Sequence, residues 1–413
     1  MNAERTRVLK IDMKSAAFKQ NPFPTLARLL EHGPLIRTRI PIGGKIWLAT
    51  TYDSVNDLLR DHGRFLQNPA SAGNRLFTTI FRWMPRSLQP LMSNMLLRDE
   101  PDHRRLRSLV EQAFLRRSVD EMRPRLEALA AEAADQLAEA AKNSPRGVDL
   151  IDHFARPFPL AVICELLGLP PEDRPQFTQW VSGVTASNGV LKLAWGVRRL
   201  GRLTQYIRDE CRRQAQHPRG GLLSALIDAE EAGSRLTEDE LVAMVFLLLV
   251  AGHETTLHQI SSSVLAFLDH PPQRAEFMED PRVGEPAVQE LLRYVSLAQI
   301  TKPRFAREDT EFYGQQIRRG EPLFGCLASA NADPSRFPHP ERLDFQRGAK
   351  GHVAFGAGIH ACLGAKLARV ELELALRLLF ERCSGLRLAV PRSEIKFTGK
   401  HGMRALATLP VLL

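Results

Sequence analysis

The residues best able to do chemistry in this 413-residue chain gather in four short segments. The first is Phe355-Gly356-Ala357-Gly358-Ile359-His360-Ala361-Cys362-Leu363-Gly364, followed by a helical pattern. A cysteine at a helix N-terminus meets unpaired amide N–H groups and the positive end of the dipole. Both lower the thiol pKa and favour thiolate. A thiolate is a strong ligand for a soft or redox-active metal. Glycines let the backbone approach a flat ligand with no Cβ in the way. Gly356-x-Gly358-x-x-Ala361 also fits a degenerate dinucleotide fingerprint, but that fold needs several further βα units, and only about fifty residues remain. A plain glycine-rich turn with a buried cysteine is the other alternative.

The second segment, Ala251-Gly252-His253-Glu254-Thr255-Thr256, sits in the middle of a long apolar helical pattern. An acid and two hydroxyls there are costly unless paired or functional. A threonine can bond back to a carbonyl one turn earlier and loosen the helix. His253-Glu254 invites a zinc-protease reading. The next histidine is His258, five positions on and ~140° around the helix, so the two cannot share a metal. The third segment, Glu290-x-x-Arg293, puts an acid and an arginine on one helix face. The fourth, Asp102-His103-Arg104-Arg105-Leu106-Arg107, puts His103 and Arg107 one turn apart, where together they could bind a carboxylate. Alone, either of these two is commonplace.

The elements that must position these segments are mostly helical. Thr237 and Glu240 form a capping-box signature, and the pattern runs to about Leu268, spanning ~48 Å. Its middle is apolar nearly all round, so it should cross the protein interior. Further helices are expected over Glu121–Lys142, from Glu285-Pro286 through Tyr294, and from after Cys362 to about Arg382. Leu35–Ile40 and Lys45–Ala49 read as a hairpin. Asn331–Gly348, rich in Pro, Arg and Asp, reads as an irregular loop. No linker separates domains, which predicts one mainly α domain with small β-sheets over 1–413, its first twenty residues a loose arm.

Composition excludes several classes. Hydrophobic residues are 44% and charged residues 25%, as in ordinary globular proteins. The start of the chain holds no apolar signal segment, and the longest apolar run, Leu241 to Ala251, is about half of a membrane span. Five scattered cysteines without a CxxC argue for a reducing, cytoplasmic compartment and for four inert buried thiols beside Cys362. The net charge of +9 suggests acidic partners, but no basic run is interleaved with aromatics as nucleic-acid binding would ask.

Taken together and in this order, the four segments resemble the cytochrome P-450 superfamily, in particular its soluble bacterial members. The resemblance runs from about Asn21 to Leu413. Phe355–Gly364 matches the haem-binding signature FGxGxHxCxG, and AGHETT matches the oxygen-activation segment of the central helix. Glu290-x-x-Arg293 matches ExxR, and Asn331-Ala332-Asp333-Pro334 through Arg342 matches the stretch before the haem loop. Leu343 departs from the usual phenylalanine, which we read as a packing variation.

The resemblance implies a triangular α-rich prism enclosing haem b, with Cys362 as thiolate ligand of the iron; thiolate ligation favours O–O cleavage. It implies that Phe355 packs on the cysteine side, that Gly356, Gly358 and Gly364 allow a tight loop, and that His103, Arg107, Arg304 and His360 bind the propionates. Ala251 or Gly252 would leave room for dioxygen. Glu254 and Thr255 would be the acid–alcohol pair that delivers protons to it. Glu290, Arg293 and Arg342 would form a buried network under the haem loop.

The implied activity is monooxygenation: hydroxylation or epoxidation of a mid-sized lipophilic molecule such as a steroid, terpenoid or fatty acid. Another oxidation (desaturation, C–C or C–O coupling) or a non-catalytic haem binder are the alternatives. No flavin or iron–sulfur unit fits in the chain. Electrons should therefore come from NAD(P)H through a ferredoxin or flavodoxin and its reductase, with the chain acting as a monomer without membrane anchor or nucleic acid. Arg104, Arg105, Arg116, Lys350 and Lys366 are the candidate docking residues. Candidate pocket residues are Leu76, Phe77, Phe81, Phe246, Val250, Ala298 and Ile300, with Ile80, Trp83, Met95, Leu96, Val184 and Met403. Arg75 or Arg82 could greet a substrate carboxylate.

Overall fold

Thr237 accepts a hydrogen bond from the Glu240 amide, and the Glu240 side chain accepts one from the Thr237 amide, so the predicted capping box forms. It opens the longest helix in the computed structural model, which describes residues 12–40, 44–74, 93–115, 119–182, 190–231, 233–399 and 402–413. In chain order the elements that frame the site are as follows. Helices α1 (Ala16–Gln20) and α2 (Phe23–Glu31) precede strands β1 (Leu35–Ile40) and β2 (Gly44–Ala49), helix α3 (Tyr52–Arg60) and strand β3 (Phe65–Leu66). Helices α4 (Asp102–Leu115), α5 (Val119–Lys142), α6 (Pro157–Leu167), α7 (Glu238–Asp269) and α8 (Gly284–Val295) follow. Strands β4 (Arg304–Ala306) and β5 (Pro322–Gly325), then helices α9 (Leu327–Asn331) and α10 (Ala365–Arg382), complete the frame.

The five strands form one sheet in the order β1-β2-β5-β4-β3. β1 and β2 are the predicted antiparallel pair, with Leu35 opposite Ala49. β2 then pairs parallel with β5, Trp47 opposite Leu323. Strand periodicity sends Ile46 and Leu48 to one apolar cluster and Trp47 and Ala49 to another, so β2 is buried on both faces.

The largest core is helical. α7 packs against α6 and α10, and α5 lies along α10. α7 is long and apolar enough to cross a membrane by length and composition, but here it is a core helix: Val242, Leu249, Ile260 and Val264 are fully buried. Leu343 is buried in the same core, as a packing variation requires. The stretch from Asn331 to Gly348 is irregular apart from one tight turn at Phe345–Arg347, as its composition predicts.

Candidate active site

The Cys362 loop is built by its own backbone. The Cys362 amide donates to the Phe355 carbonyl at 2.9 Å, and the Ala361 amide to Gly358 O at 3.0 Å. Arg107 on α4 clamps it from outside, with Nη1 donating to Ile359 O at 3.1 Å and to Ala361 O at 2.7 Å. Gly358 has φ +71°, and a Cβ there would meet the Leu59 carbonyl at 2.3 Å, so only glycine fits. At Gly356 and Gly364 a Cβ would meet no atom within 4 Å; both face open space beside the loop.

Cys164, Cys211, Cys326 and Cys383 are buried and burial raises their pKa values, as expected of inert thiols. Cys362 alone is exposed. The Gly364 amide at the head of the helix lowers its pKa, as expected, but the net shift is upward. The thiol lies at the floor of a cleft with protein on most sides, and that burial pushes it up. The Gly364 amide, Arg107 and Arg369 pull it down, but by less. A coordinated metal cation reverses such a balance and deprotonates the thiol.

Beside the loop lies a cluster of cationic and imidazole side chains, in which His103 Nδ1 faces Glu100 at 3.4 Å while its other ring nitrogen meets no acid. The His103 and His360 rings stand 4.2 Å apart at 57°. His103 Nε2 and both ring nitrogens of His360 are buried without a hydrogen-bond partner. Burial, then Arg304, His103 and Arg107, hold His360 far below the usual imidazole range. Arg304 is 3% exposed, has no ion pair among the described residues, and is lowered to about 10 by burial. Buried donors without acceptors are costly, so this arrangement asks for an anionic ligand. Arg107 differs: its Nε pairs with Glu111 at 2.7 Å and its Nη1 holds the loop.

In the middle of α7, Phe246, Leu247, Leu248, Val250, Ala251, Gly252, Glu254 and Thr255 keep accessible surface between buried stretches. The helix therefore borders open space over about two turns. Thr255 Oγ1 donates to Ala251 O, one turn back, at 2.6 Å, the back-bonding expected from the sequence. Ala251 and Thr255 are exposed and share one face. Gly252 does not join them: a Cβ there would meet Ile163 Cδ1 on α6 at 3.2 Å, so Gly252 serves helix packing and Ala251 is the small residue at the open face.

Under the loop, Glu290 and Arg293 form a two-pronged pair, both bonds 2.7 Å, with both side chains 1% exposed or less. Arg293 also donates to the carbonyls of Asn331, Pro340 and Arg342. The expected third member needs correction. The Arg342 side chain is 71% exposed and lies 4.0 Å from Glu341; only its carbonyl enters the network. Arg347 takes the place, its Nε 3.1 Å from Glu290 Oε1 and its side chain 6% exposed. It also donates to the carbonyls of Pro338, His339 and Arg342. Asn331 carries the network to the cysteine loop, accepting from the Val353 amide at 2.8 Å while its Nδ2 donates to Ser296. Burial and the charges of Arg369 and Arg293 lower His352 to about 4. The neutral ring accepts from the Ala354 amide and hydrogen-bonds Gln289 of α8. The sequence signals these links only through the match of Asn331-Ala332-Asp333-Pro334 to the stretch before the haem loop.

The family model for cytochrome P450 matches residues 199–281 and 284–399. The chain is 37% identical over 400 residues to the polyketide biosynthesis cytochrome P450 PksS of Bacillus subtilis, covering 96% of each chain. This chain belongs to the cytochrome P450 family. It is 39% identical to the vitamin D(3) 25-hydroxylase of Pseudonocardia autotrophica, over 97% of this chain and 96% of the other. It is 37% identical to the mycinamicin IV hydroxylase/epoxidase of Micromonospora griseorubida, over 93% and 94%. The solved structure of PksS superposes with a TM-score of 0.87 at 35% identity, covering 98% of this chain and all of that one. The protein has the P450 fold and is a monooxygenase of that family, whose members carry haem and use O₂. The residues present fit such a group. Gly356 and Gly364 leave room for a flat macrocycle beside an exposed thiol, and the orphaned His103, His360 and Arg304 suit its two carboxylates.

On the outer side of the P450 loop a cleft of about 680 Å³ reaches Cys362 and is lined by Arg123, Lys350, Lys366 and Arg369, with Glu285 and Glu373. Of the predicted docking residues, Lys350 and Lys366 line it. Arg104 is 79% exposed and pairs with Glu100. Arg105 is turned to another surface, held by Glu240 and hydrogen-bonded to Ser234. Sequence reasoning missed Arg123 and Arg369, the latter lying over the Phe355 ring at 5.8 Å. Arg75, Leu76, Phe77, Ile80, Phe81, Arg82, Trp83, Arg116 and Val184 lie outside the described residues. Among the other pocket candidates, Phe246 and Val250 are on the open face of α7 and Leu96 is half-buried. Ala298 pairs with Met403 in an isolated bridge. Ile300 packs on the sheet core with Phe18 and Leu48, and Met95 is 4% exposed in the helical core.

Proposed function

We propose that the protein is a single-domain, cytoplasmic P450 that hydroxylates or epoxidises a mid-sized lipophilic substrate, with Cys362 as the axial ligand of haem b. The observation that carries the reading is the exposed Cys362 thiol on a glycine-opened loop, flanked by the buried Arg304 and by imidazole nitrogens of His103 and His360 without hydrogen-bond partners. When bound, thiolate-ligated haem supplies reductive O₂ activation and insertion of one oxygen atom. Arg304 supplies the positive charge that its buried propionates need, and His103 and His360 supply hydrogen-bond donors. Arg107 positions the loop through its two carbonyl bonds rather than acting through charge alone. Phe355 covers the sulfur side under Arg369.

Thr255 Oγ, free to exchange its bond to Ala251 O for one to a water, holds that water at the open face, and the Glu254 carboxylate passes it protons. Phe246 and Val250 give that face its apolar wall, which suits a lipophilic substrate, as do relatives named for a vitamin D(3) and a macrolide substrate. The basic cleft over Cys362 suits an acidic ferredoxin, fed from NAD(P)H by its reductase. The test is a spectral screen of lipophilic compounds against the haem band. Hits are then incubated with NAD(P)H, ferredoxin and reductase, and products read by mass spectrometry. A product heavier by one oxygen supports the reading; NAD(P)H consumption that yields no oxygenated product from any hit contradicts it.

A further inference from the structure

A second cleft, of about 870 Å³, opens between α1–α2, the C-terminal half of α7, the end of α8 and the chain near Phe397 and Arg404. None of the residues assigned above to haem or oxygen lines it. Its volume is in the range of small-molecule sites. One wall is apolar: Phe23, Leu30, Leu265 and Phe397. The other is polar. Ser262, 6% exposed, has a buried hydroxyl with no hydrogen-bond partner. The Tyr294 hydroxyl makes no hydrogen bond among the described residues, although its ring is held 5.3 Å from that of Phe23.

Glu31, Asp269 and Glu341 also line the cleft, but Glu31 and Glu341 are exposed and neither forms an ion pair with Arg404 or Lys19. Asp269 is neutralised by Arg392 at 2.8 Å, and Arg392 also donates to Gln20. Arg404 donates Nε to the Lys19 carbonyl at 2.8 Å and lies over Phe397 at 5.2 Å, but it has no ion pair among the described residues. Behind it sits a second cation without an acid, Lys19, 5% exposed and bonded to the Met403 carbonyl. Burial and the neighbouring guanidinium lower Lys19 to about 8, and burial lowers Arg404 to about 10.

We propose that this cleft is a second ligand site that takes a lipophilic carboxylate, the head on Arg404, Ser262 and Tyr294 and the tail on Phe23, Leu265 and Phe397. A carboxylate supplies the direct ion pair that Arg404 and Lys19 lack, Asp269 being bonded to Arg392, and an acceptor for two hydroxyls. The site touches the catalytic framework at two places. Arg404 N donates to Leu297 O, beside the Ala298–Met403 bridge. Pro340 lines the cleft and its carbonyl receives Arg293. Its occupant therefore bears on both the pocket wall and the network under the haem loop.

The probe is 1-pyrenebutyrate, with 1-pyrenebutanol as the uncharged control. Binding to the haem-loaded full chain is measured by equilibrium dialysis, with 4-phenylimidazole saturating the iron. The acid should bind about tenfold tighter than the alcohol, a preference that Arg404→Gln removes and Arg404→Lys keeps. Ser262→Phe should weaken it about tenfold while the spectral affinity for 4-phenylimidazole is unchanged. Ala266→Phe fills the same cleft one turn on, should Ser262→Phe not fold. Equal binding of acid and alcohol, loss of binding on adding 4-phenylimidazole, or indifference to both cleft-filling variants overturns the proposal.

Discussion

Replacing Arg347 by alanine should be far more damaging than replacing Arg342, though both precede the cysteine loop. Arg347 holds Glu290 at 3.1 Å and donates to three loop carbonyls. Hydrogen bonds to a charged group each contribute about 1.5–3 kcal/mol, and breaking a buried pair costs about 3–5 kcal/mol. Glu290 keeps Arg293, so the loss should sit at the lower end, about 3 kcal/mol. The Arg342 side chain reaches into solvent, and its alanine variant keeps the carbonyl that Arg293 uses, so its cost should stay within about 0.5 kcal/mol. Urea unfolding of the holoproteins, followed by circular dichroism and by the haem band, measures both. Arg347→Ala should also release haem at a lower urea concentration than wild type. Equal losses for the two variants, or a larger loss for Arg342→Ala, would refute the assignment of Arg347 to the network.

Three further outcomes follow from the same geometry. Thr255→Ala should bind substrate normally yet form roughly tenfold less product per NAD(P)H consumed; unchanged coupling rules out the water-holding role of Thr255. Glu371, 4% exposed with Oε2 unpartnered, is raised well above the usual carboxylate range by burial. The folded state therefore keeps a proton that the unfolded chain releases above about pH 4.3, and the contribution of Glu371 to stability falls as pH rises past that value. Glu371→Gln should accordingly melt like wild type near pH 4 and progressively higher above it; a pH-independent difference contradicts the buried acid. Charge reversal at Lys350, Lys366 or Arg369 should slow reduction by ferredoxin and flatten its salt dependence, whereas Arg105→Gln should leave both unchanged in stopped-flow traces.

Much of the framework was legible because local signals and burial agree. The Thr237–Glu240 box starts α7 where expected, and the Gly–Cys–Gly spacing marks the loop whose glycines prove to be required or open. What escaped depends on how side chains turn in three dimensions. Arg342 and Arg347 lie in an irregular stretch where no period says which points inward. Ala251 and Gly252 are adjacent on a helix, and only the approach of Ile163 decides which one packs and which faces space. The thiol pKa ends up raised because the amide that lowers it is visible in sequence and the burial that outweighs that amide is not. Arg105 belongs to the same class: its charge is plain, but its partner Glu240 is 135 residues away.

The central claim is that the Cys362 sulfur holds the haem iron. The most direct measurement is the absorption spectrum of the purified protein after reduction and exposure to carbon monoxide, for wild type and Cys362→Ser. The account predicts the long-wavelength Soret band of thiolate-ligated haem in wild type and its complete loss in the variant, with haem still bound by His103, Arg304 and His360. A wild-type band at the position of imidazole-ligated haem, or a thiolate band that survives in Cys362→Ser, would contradict it.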